Sequence, residues 1–279
     1  MNKAIKLLGA ILLLTMVSCA NRFFYQPDSF VHYPPEKNGL EPTDVWFEAG
    51  DGNRLHGWFF AAHKQSAKGT IVQFHGNAQN LTSHYASLVW LTKRGYNLFI
   101  FDYRGYGKSP GKPDAEGIYK DGMAALDKAW ELHKSTKAKR FVVYGQSLGG
   151  IIAARSFADF SHRDDTDLFV ADSTFVSYDA LAREWLQKFW ITWPFSWLGP
   201  LLVSDKFGAE AIWPRLKIRL LVIHDLHDPI VGFENGTDLF DLAPGKKDFW
   251  VLDKGRHIAI FYLDTPQHRD EFVKTLDAL

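Results

Sequence analysis

The chain has 279 residues, and its 32 lysines and arginines balance its 32 aspartates and glutamates, so the net charge at pH 7 is zero. A balanced charge gives no support for nucleic-acid binding, which needs a basic surface. The only cysteine, Cys19, excludes a disulfide framework within one chain. The length suits one α/β domain with a large core.

The N-terminus has the pattern of a secretory signal. Lys3 and Lys6 precede the apolar run 7–17, which is too short to span a bilayer comfortably. Small residues follow this run, as they do at a cleavage site. We therefore expect residues 1–18 to be a signal peptide that is not part of the fold.

The cleavage region also resembles a bacterial lipobox. The sequence Met-Val-Ser-Cys at 16–19 places Cys19 where such a cysteine is lipidated and becomes the first mature residue. Ala20 in the next position resembles outer-membrane lipoproteins. This resemblance implies a bacterial cell-envelope protein that is anchored by lipid, most simply in the outer membrane facing the periplasm. Simple secretion and a retained N-terminal anchor are the alternatives.

Residues 19–40 are predicted to be a lipid-anchored tether or irregular arm, because prolines recur there and Asn38-Gly39 favours a turn. Its aromatic residues indicate that the arm packs on the domain. The folded domain then covers residues 41–279.

Apolar strand-like runs alternate with helical runs through this domain. The predicted strands are 55–60, 70–74, 97–101, 141–144, 168–171, 219–223 and 249–252. The predicted helices are 81–94, 117–133, 148–160 and 267–279. This α/β alternation predicts a mostly parallel central sheet that is covered by helices on both faces.

One aromatic segment interrupts the alternation. About residues 181–204 carry four tryptophans, and Pro194 and Pro200 interrupt any long helix. The segment lies between predicted strands, where a small cap over a substrate pocket can be inserted, and apolar clefts are the usual ligand sites. The alternatives are an ordinary crossover helix with an apolar inner face and a membrane-docking surface.

The strongest catalytic signal is the sequence Gly-Gln-Ser-Leu-Gly at 145–149. It follows the predicted strand 141–144 and precedes the predicted helix 148–160. A strand, Gly-x-Ser-x-Gly and a helix together are typical of a nucleophile elbow, in which a tight turn exposes the serine hydroxyl. Ser147 is therefore the predicted nucleophile. The alternative is a glycine-rich turn without chemistry.

A serine nucleophile needs a histidine base and a carboxylate that orients it, in the chain order Ser, Asp or Glu, His for α/β-hydrolases. The loop after the strand 219–223 supplies Asp228 as the predicted acid, with Asp225 as the local rival and Asp172 as a more distant one. His257 follows the last strand and is the predicted base. Only His268, inside the final helix, also satisfies the chain order.

The tetrahedral intermediate needs preorganised N–H donors for its oxyanion. One donor is predicted to be the backbone N–H of Leu148, directly after the nucleophile. The other is predicted to be the N–H of Asn77, in the loop His-Gly-Asn at 75–77, where Gly76 permits a close approach.

Several segments carry a family resemblance: 74–78, 101–109, 145–149, 172–175 and the loops that hold Asp228 and His257. Over roughly residues 45–275 the chain resembles a serine hydrolase of the α/β-hydrolase superfamily, nearest the BEM46-like group of small-cap hydrolases. The resemblance implies the α/β-hydrolase fold, the triad Ser147, Asp228 and His257, and the same oxyanion hole. The group usually has glycine in place of Asp225 and often has proline in place of Gly232.

These patterns favour a serine hydrolase that cleaves carboxylic esters or thioesters. We expect its substrate to be a small-molecule acyl ester or a lipid-like molecule, and we expect the N-terminal lipid anchor to attach the protein to a membrane. An esterase is favoured over a peptidase or amidase of the same fold, although the elbow does not separate ester from amide cleavage. An inactive hydrolase fold that serves as an envelope binding module is a further alternative. No metal or organic cofactor is needed, and the oligomeric state is left open.

Overall fold

A mostly parallel eight-stranded sheet forms the centre of the computed structural model, which describes residues 24–63, 66–188, 207–262 and 266–279. The strands occur in the spatial order β1-β2-β4-β3-β5-β6-β7-β8. Strand β2 is antiparallel to both of its neighbours, and all other adjacent strands are parallel. The predicted mostly parallel sheet is confirmed. The strands are β1 (Thr43–Glu48), β2 (Arg54–Phe60), β3 (Gly69–Phe74), β4 (Tyr96–Asp102), β5 (Arg140–Gln146), β6 (Leu168–Asp172), β7 (Leu220–Asp225) and β8 (Lys247–Leu252).

Helices cover both faces of this sheet. They are α1 (Leu81–His84), α2 (Ala115–Ser135), α3 (Leu148–Ala158), α4 (Tyr178–Lys188), α5 (Phe233–Leu242) and α6 (Pro266–Asp277). Two begin at side-chain caps: the Asn80 side chain accepts the N–H of Thr82, and the Asp114 side chain accepts the N–H of Gly117. Such caps satisfy N–H groups that have no partner inside the helix.

The hydrophobic core consists of two clusters, one on each face of the sheet. Successive side chains of a strand point to opposite faces, so Val143 packs in one cluster with Leu126 of α2 and Ile151 of α3. Its neighbour Val142 packs in the other cluster with Phe272 of α6. Full burial of each such side chain contributes about 1.5–3 kcal/mol. The long apolar strands therefore hold helices on both sides.

Three local elements differ from the sequence prediction. Residues 81–94 were predicted as one helical run, but only α1 is α-helical, and 3₁₀ turns continue the segment. The buried Tyr85, Leu88 and Leu91 recur every three residues, which matches the three residues per turn of a 3₁₀ helix. Strand β1 and helix α5 were not predicted, because β1 is mostly exposed and α5 is short.

The described part of the N-terminal arm packs on the domain. Phe24 and Tyr25 are buried, whereas Phe30 is 76% exposed. The predicted signal peptide and lipidated Cys19 lie outside the described residues.

The carboxyl ends of β3, β5, β6, β7 and β8 share one edge of the sheet because these strands are parallel, and the loops that follow them meet there.

Candidate active site

Ser147 occupies a strained turn between β5 and α3. Its φ of 51° and ψ of −120° lie in a region that side chains rarely adopt. The neighbouring glycines explain how the turn fits: a Cβ on Gly149 would lie 2.1 Å from the carbonyl oxygen of Phe74, and a Cβ on Gly145 would lie 2.5 Å from the Cα of Gly150. No larger residue fits these two positions without moving backbone.

The elbow is held by the end of β6. The N–H of Ser147 donates to the carbonyl of Asp172 at 2.8 Å, and the hydroxyl of Thr174 donates to the carbonyl of Ser147 at 2.7 Å. Both bonds use the backbone of Ser147, so the conformation of the turn does not depend on the hydroxyl of this residue. Backbone strain of this kind persists only where the surroundings hold it.

The loop after β3 passes directly beside Ser147. A Cβ on Gly76 would lie 3.5 Å from the Cβ of Ser147, so glycine permits a close approach of the backbone. Asn77 and Leu148 both line the cavity that contains Ser147, which is the arrangement expected for two oxyanion donors. Beneath the loop, burial lowers the pKa of His84 to about 3, and its ring is therefore neutral at pH 7.

Asp228 and His257 form a close hydrogen-bonded pair. The distance from His257 Nδ1 to Asp228 Oδ2 is 2.7 Å. The other carboxylate oxygen, Oδ1, accepts the N–H groups of Ile230 at 2.8 Å and Val231 at 3.0 Å. The Asp228 side chain is fully buried, whereas that of His257 is 16% exposed. The carboxylate is therefore fixed in position, and the imidazole stays accessible from the cavity.

Asp225, the rival acid, is bound to backbone N–H groups instead. Its Oδ1 accepts the N–H groups of His227 at 2.9 Å and Gly255 at 3.0 Å, and its Oδ2 accepts that of Lys254 at 2.8 Å. These bonds join the loop after β7 to the loop after β8, which carries His257. Burial acts to raise the pKa of Asp225, but the backbone N–H donors outweigh it and hold that pKa below its usual range. Asp225 thus fixes the two loops relative to each other.

The hydrogen bonds that Asp225 accepts from both loops predict a pH-dependent loss of stability in Asp225→Asn. The side-chain NH2 of the asparagine would face a backbone N–H group, and neither of these donors could then form a hydrogen bond with the other. We therefore expect the free energy of unfolding at pH 7 to fall by about 1–3 kcal/mol. The lowered pKa in the folded state means that the carboxylate stabilises the fold above about pH 4 and loses this effect as the pH falls further. The difference between wild type and variant should therefore shrink below about pH 4 in urea titrations.

The control for this experiment is Asp253→Asn, since Asp253 lies in the loop after β8 that Asp225 binds, but its side chain is 73% exposed. We expect its stability to stay within about 0.5 kcal/mol of wild type, as for most surface substitutions. A stability difference for Asp225→Asn that stays constant from about pH 7 to about pH 3 would contradict the role of the ionised carboxylate.

Asp172, the second rival, lies in a buried polar network beneath the site. Its Oδ2 accepts the hydroxyl of Tyr144 at 2.8 Å and the amide of Gln146 at 3.2 Å. Burial raises its pKa, against the effect of these donors. The hydroxyl of Ser173 donates to Asp172 Oδ1 and accepts the N–H of Ile258, next to His257. Asp172 therefore supports the base loop from below.

A cavity of about 310 Å³ lies between Ser147 and His257 and is also lined by Asn77. Ser147 and His257 both line it, together with the apolar side chains of Phe24, Leu148, Phe175, Leu181, Trp185, Ile230 and Val231. Leu181 and Trp185 belong to α4, which is the described beginning of the predicted cap. The remainder of the cap, 189–204, lies outside the described residues. His268 lies in α6 and is not among the residues that line this cavity.

Sequence reasoning missed two contributors to the cavity, Phe24 and Gln26. The aromatic residues of the arm indicated that it packs on the domain, but no local pattern indicated where. Among the described residues, no group of histidine, cysteine and carboxylate side chains is arranged to hold a metal ion. In the same part of the chain, no helix is both long enough and apolar enough to cross a membrane.

Solved structures share this fold. The Pyrococcus furiosus esterase Pf2001 superposes with a TM-score of 0.66 at 23% identity, over 91% of this chain and 96% of that one. The acylaminoacyl peptidase of Pyrococcus horikoshii superposes with a TM-score of 0.64 at 16% identity, over 86% of this chain and 41% of that one. At these identities the likeness establishes the α/β-hydrolase fold.

Sequence comparison establishes the family. The family model described as "Serine aminopeptidase, S33" matches residues 65–207, just over half of the chain. A protein of Escherichia coli O157:H7 named "Uncharacterized protein YfhR" is 35% identical over 248 residues, which cover 87% of this chain and 81% of that protein. The matched residues include the elbow and the loop that carries Asn77, and the chain belongs to the serine aminopeptidase S33 family of the α/β-hydrolase superfamily.

Proposed function

We propose that this serine hydrolase cleaves carboxylic ester or thioester bonds through an acyl-enzyme formed on Ser147. The observation that carries the proposal is the 2.7 Å bond from His257 Nδ1 to Asp228 Oδ2 beside a cavity that His257 shares with Ser147. In this arrangement Asp228 holds the Nδ1–H tautomer, and Nε2 is left to accept a proton.

The reaction follows from these positions. Ser147 Oγ attacks the substrate carbonyl carbon while His257 Nε2 accepts the hydroxyl proton, and the carbonyl electrons move to the oxygen. His257 then returns the proton to the leaving alcohol or thiol as the carbon–heteroatom bond breaks. Water, deprotonated by His257, then attacks the acyl carbon. As the bond from this carbon to Ser147 Oγ breaks, His257 returns the proton to Oγ, which releases the acid and regenerates Ser147.

The negative charge on the substrate oxygen requires N–H donors that are already in place. We assign this role to the backbone N–H groups of Asn77 and Leu148, which flank Ser147 in the cavity. The N–H of Leu148 is the first of helix α3, where unpaired N–H groups and the helix dipole favour an anion. Loss of one such donor typically costs about 10²- to 10³-fold in kcat.

An acyl ester fits the mainly apolar wall of the cavity, and the structurally similar Pf2001 is named an esterase. The rival substrate is an amide, because the family model is named for an aminopeptidase and a similar structure is named an acylaminoacyl peptidase. Among the described residues that line the cavity, no side-chain carboxylate is placed to bind the free amino group of a peptide. This observation favours the ester over an aminoacyl amide with a free amino group.

We further propose placement in the BEM46-like group and a lipid anchor at Cys19. The support for the anchor is the lipobox-like sequence that ends at Cys19, which would hold the hydrolase at the bacterial envelope. Mass spectrometry of the mature N-terminus tests it. We expect a diacylglyceryl-modified Cys19, and an unmodified Cys19 in the full precursor would refute the anchor.

The proposed activity is tested with a fluorophosphonate probe and a substrate panel. We expect covalent labelling of the wild type and hydrolysis of p-nitrophenyl esters, with kcat/KM for esters exceeding that for aminoacyl p-nitroanilides by at least about 10²-fold. A preference for the anilides would support the aminopeptidase instead. Absence of labelling and of turnover with every substrate would support an inactive binding module.

A further inference from the structure

The N-terminal arm crosses the loop that carries Asn77 and is bonded to it along its length. The N–H of Gln26 donates to Asn77 Oδ1 at 2.9 Å, and Pro27 pairs with Gln79 in an isolated parallel bridge. The amide of Asn80 then donates to the carbonyl of Phe30 at 2.7 Å. Residues about fifty positions apart are thereby joined at three successive points.

This loop needs support because two of its residues are strained. Ala78 and Gln79 have φ values of 59° and 58°, in the left-handed region where each side-chain-bearing residue costs roughly 1–2 kcal/mol. Such a conformation persists only where neighbouring structure holds it. The bridge from Pro27 meets the strained segment at Gln79 itself. The arm therefore supplies part of the support.

The side chain of Asn77 is the centre of this contact. Its Oδ1 accepts the N–H of Gln26 at 2.9 Å, the N–H of Ala78 at 2.9 Å and the hydroxyl of Tyr106 at 3.0 Å. A side chain held by three donors fixes the backbone of the same residue. The direction of the Asn77 N–H thus depends on a bond from the arm.

The arm also forms part of the cavity wall. Phe24 and Gln26 line the same cavity as Ser147 and His257. The ring of Phe24 is 6% exposed and packs edge-on against that of Tyr178, at the start of α4, with centroids 5.1 Å apart. Phe24 therefore closes the space between the arm and α4, the helix whose Leu181 and Trp185 line the cavity as well.

We infer that the arm residues Phe24–Pro27 belong to the active site: Phe24 limits the size of the acyl group, and the Gln26–Asn77 bond positions the oxyanion donor. This inference rests on the proposed hydrolase function. Gln26 is a positioning residue, because it acts through Asn77. In the sequence, Phe24 follows the proposed lipid site, Cys19, by five residues.

The size limit is tested with Phe24→Ala and Phe24→Trp in the full chain. Removal of the ring enlarges the cavity, so Phe24→Ala is expected to raise the ratio of kcat/KM for p-nitrophenyl octanoate over acetate by about tenfold, which is the size of effect that apolar pockets produce. Phe24→Trp is expected to lower this ratio. Phe30→Ala, on the same arm but exposed, is the control and should leave the ratio unchanged.

The positioning role is tested with Gln26→Pro, which removes the N–H, and Gln26→Ala, which keeps it. Pro27 already biases Gln26 toward extended backbone, so proline is compatible with this position. We expect Gln26→Pro to lower kcat for p-nitrophenyl acetate about five- to tenfold relative to Gln26→Ala, which loses the same side chain but keeps the N–H, with KM within about twofold. If Gln26→Pro does not fold, Asn77→Ala serves instead, because it keeps the backbone N–H of residue 77 and removes the Oδ1 that accepts from Gln26.

The outcomes separate the two proposals. An active wild type whose octanoate-to-acetate ratio is the same in both Phe24 variants overturns the size limit. Equal kcat in Gln26→Pro and Gln26→Ala overturns the positioning role. Where Asn77→Ala replaces the proline variant, a kcat equal to that of wild type overturns it. A wild type that neither reacts with the fluorophosphonate nor hydrolyses any ester overturns the proposed function, and the inference about the arm with it.

Discussion

Ser147→Ala is expected to abolish ester hydrolysis and fluorophosphonate labelling while the protein stays folded. Loss of a catalytic serine lowers kcat by about 10⁴- to 10⁶-fold, because the remaining oxyanion donors and binding contacts supply only the residual rate. The fold should tolerate the change, since the hydrogen bonds that hold the elbow use the backbone of Ser147. Alanine keeps the same backbone conformation, and we expect the free energy of unfolding to stay within about 1 kcal/mol.

The measurements are gel-based labelling, initial rates with p-nitrophenyl acetate and a urea unfolding curve. The control is Ser161→Ala, because Ser161 is an exposed serine that does not line the cavity. It should retain wild-type labelling and activity. If Ser147→Ala is still labelled at the wild-type rate, another residue is the nucleophile and the mechanism above is wrong.

Asp228→Asn is expected to lower kcat by about 10⁴-fold with little change in geometry. The amide oxygen of the variant can still accept the N–H groups of Ile230 and Val231, so its amide nitrogen turns toward His257 Nδ1. That nitrogen donates a hydrogen bond, which forces Nδ1 to accept and moves the ring proton to Nε2. A protonated Nε2 cannot take the proton of Ser147, and the nucleophile is not activated.

The same experiment decides between Asp228 and Asp225. Asp225→Asn is expected to lower kcat far less, because that carboxylate binds backbone N–H groups rather than the imidazole. Steady-state kinetics of both variants, with unfolding curves to correct for the folded fraction, make the comparison. A loss of about 10⁴-fold in Asp225→Asn, combined with near wild-type activity in Asp228→Asn, would assign the acid to Asp225.

Chain order and strand ends were sufficient to predict which polar residues lie together. Parallel strands bring their carboxyl ends to one edge, so the serine motif, the chain order and the apolar runs together could place Ser147, Asp228 and His257, although their catalytic roles stay predictions. Asp225 could not be interpreted in this way. Its partners are backbone N–H groups, which have no signature in the sequence.

The contribution of Phe24 and Gln26 was likewise invisible, for a different reason. The Gln26–Asn77 bond joins residues 51 positions apart through a backbone donor, and no periodic pattern records a contact of that kind. The run 81–94 shows a third limit. One apolar spacing of four residues is followed there by spacings of three, and the choice between α and 3₁₀ geometry depends on what the turns pack against.

At the nucleophile elbow, the backbone conformation and the side chain of residue 147 have opposite requirements. Glycine adopts the positive-φ backbone of position 147 without penalty, whereas a serine held there costs about 1–3 kcal/mol. Ser147→Gly is therefore the change that relaxes the turn and ends hydrolysis in a single step. Under the proposed mechanism, the hydroxyl of Ser147 is the reason for a side chain in so unfavourable a conformation, and a chain without catalysis would gain stability from glycine at this position.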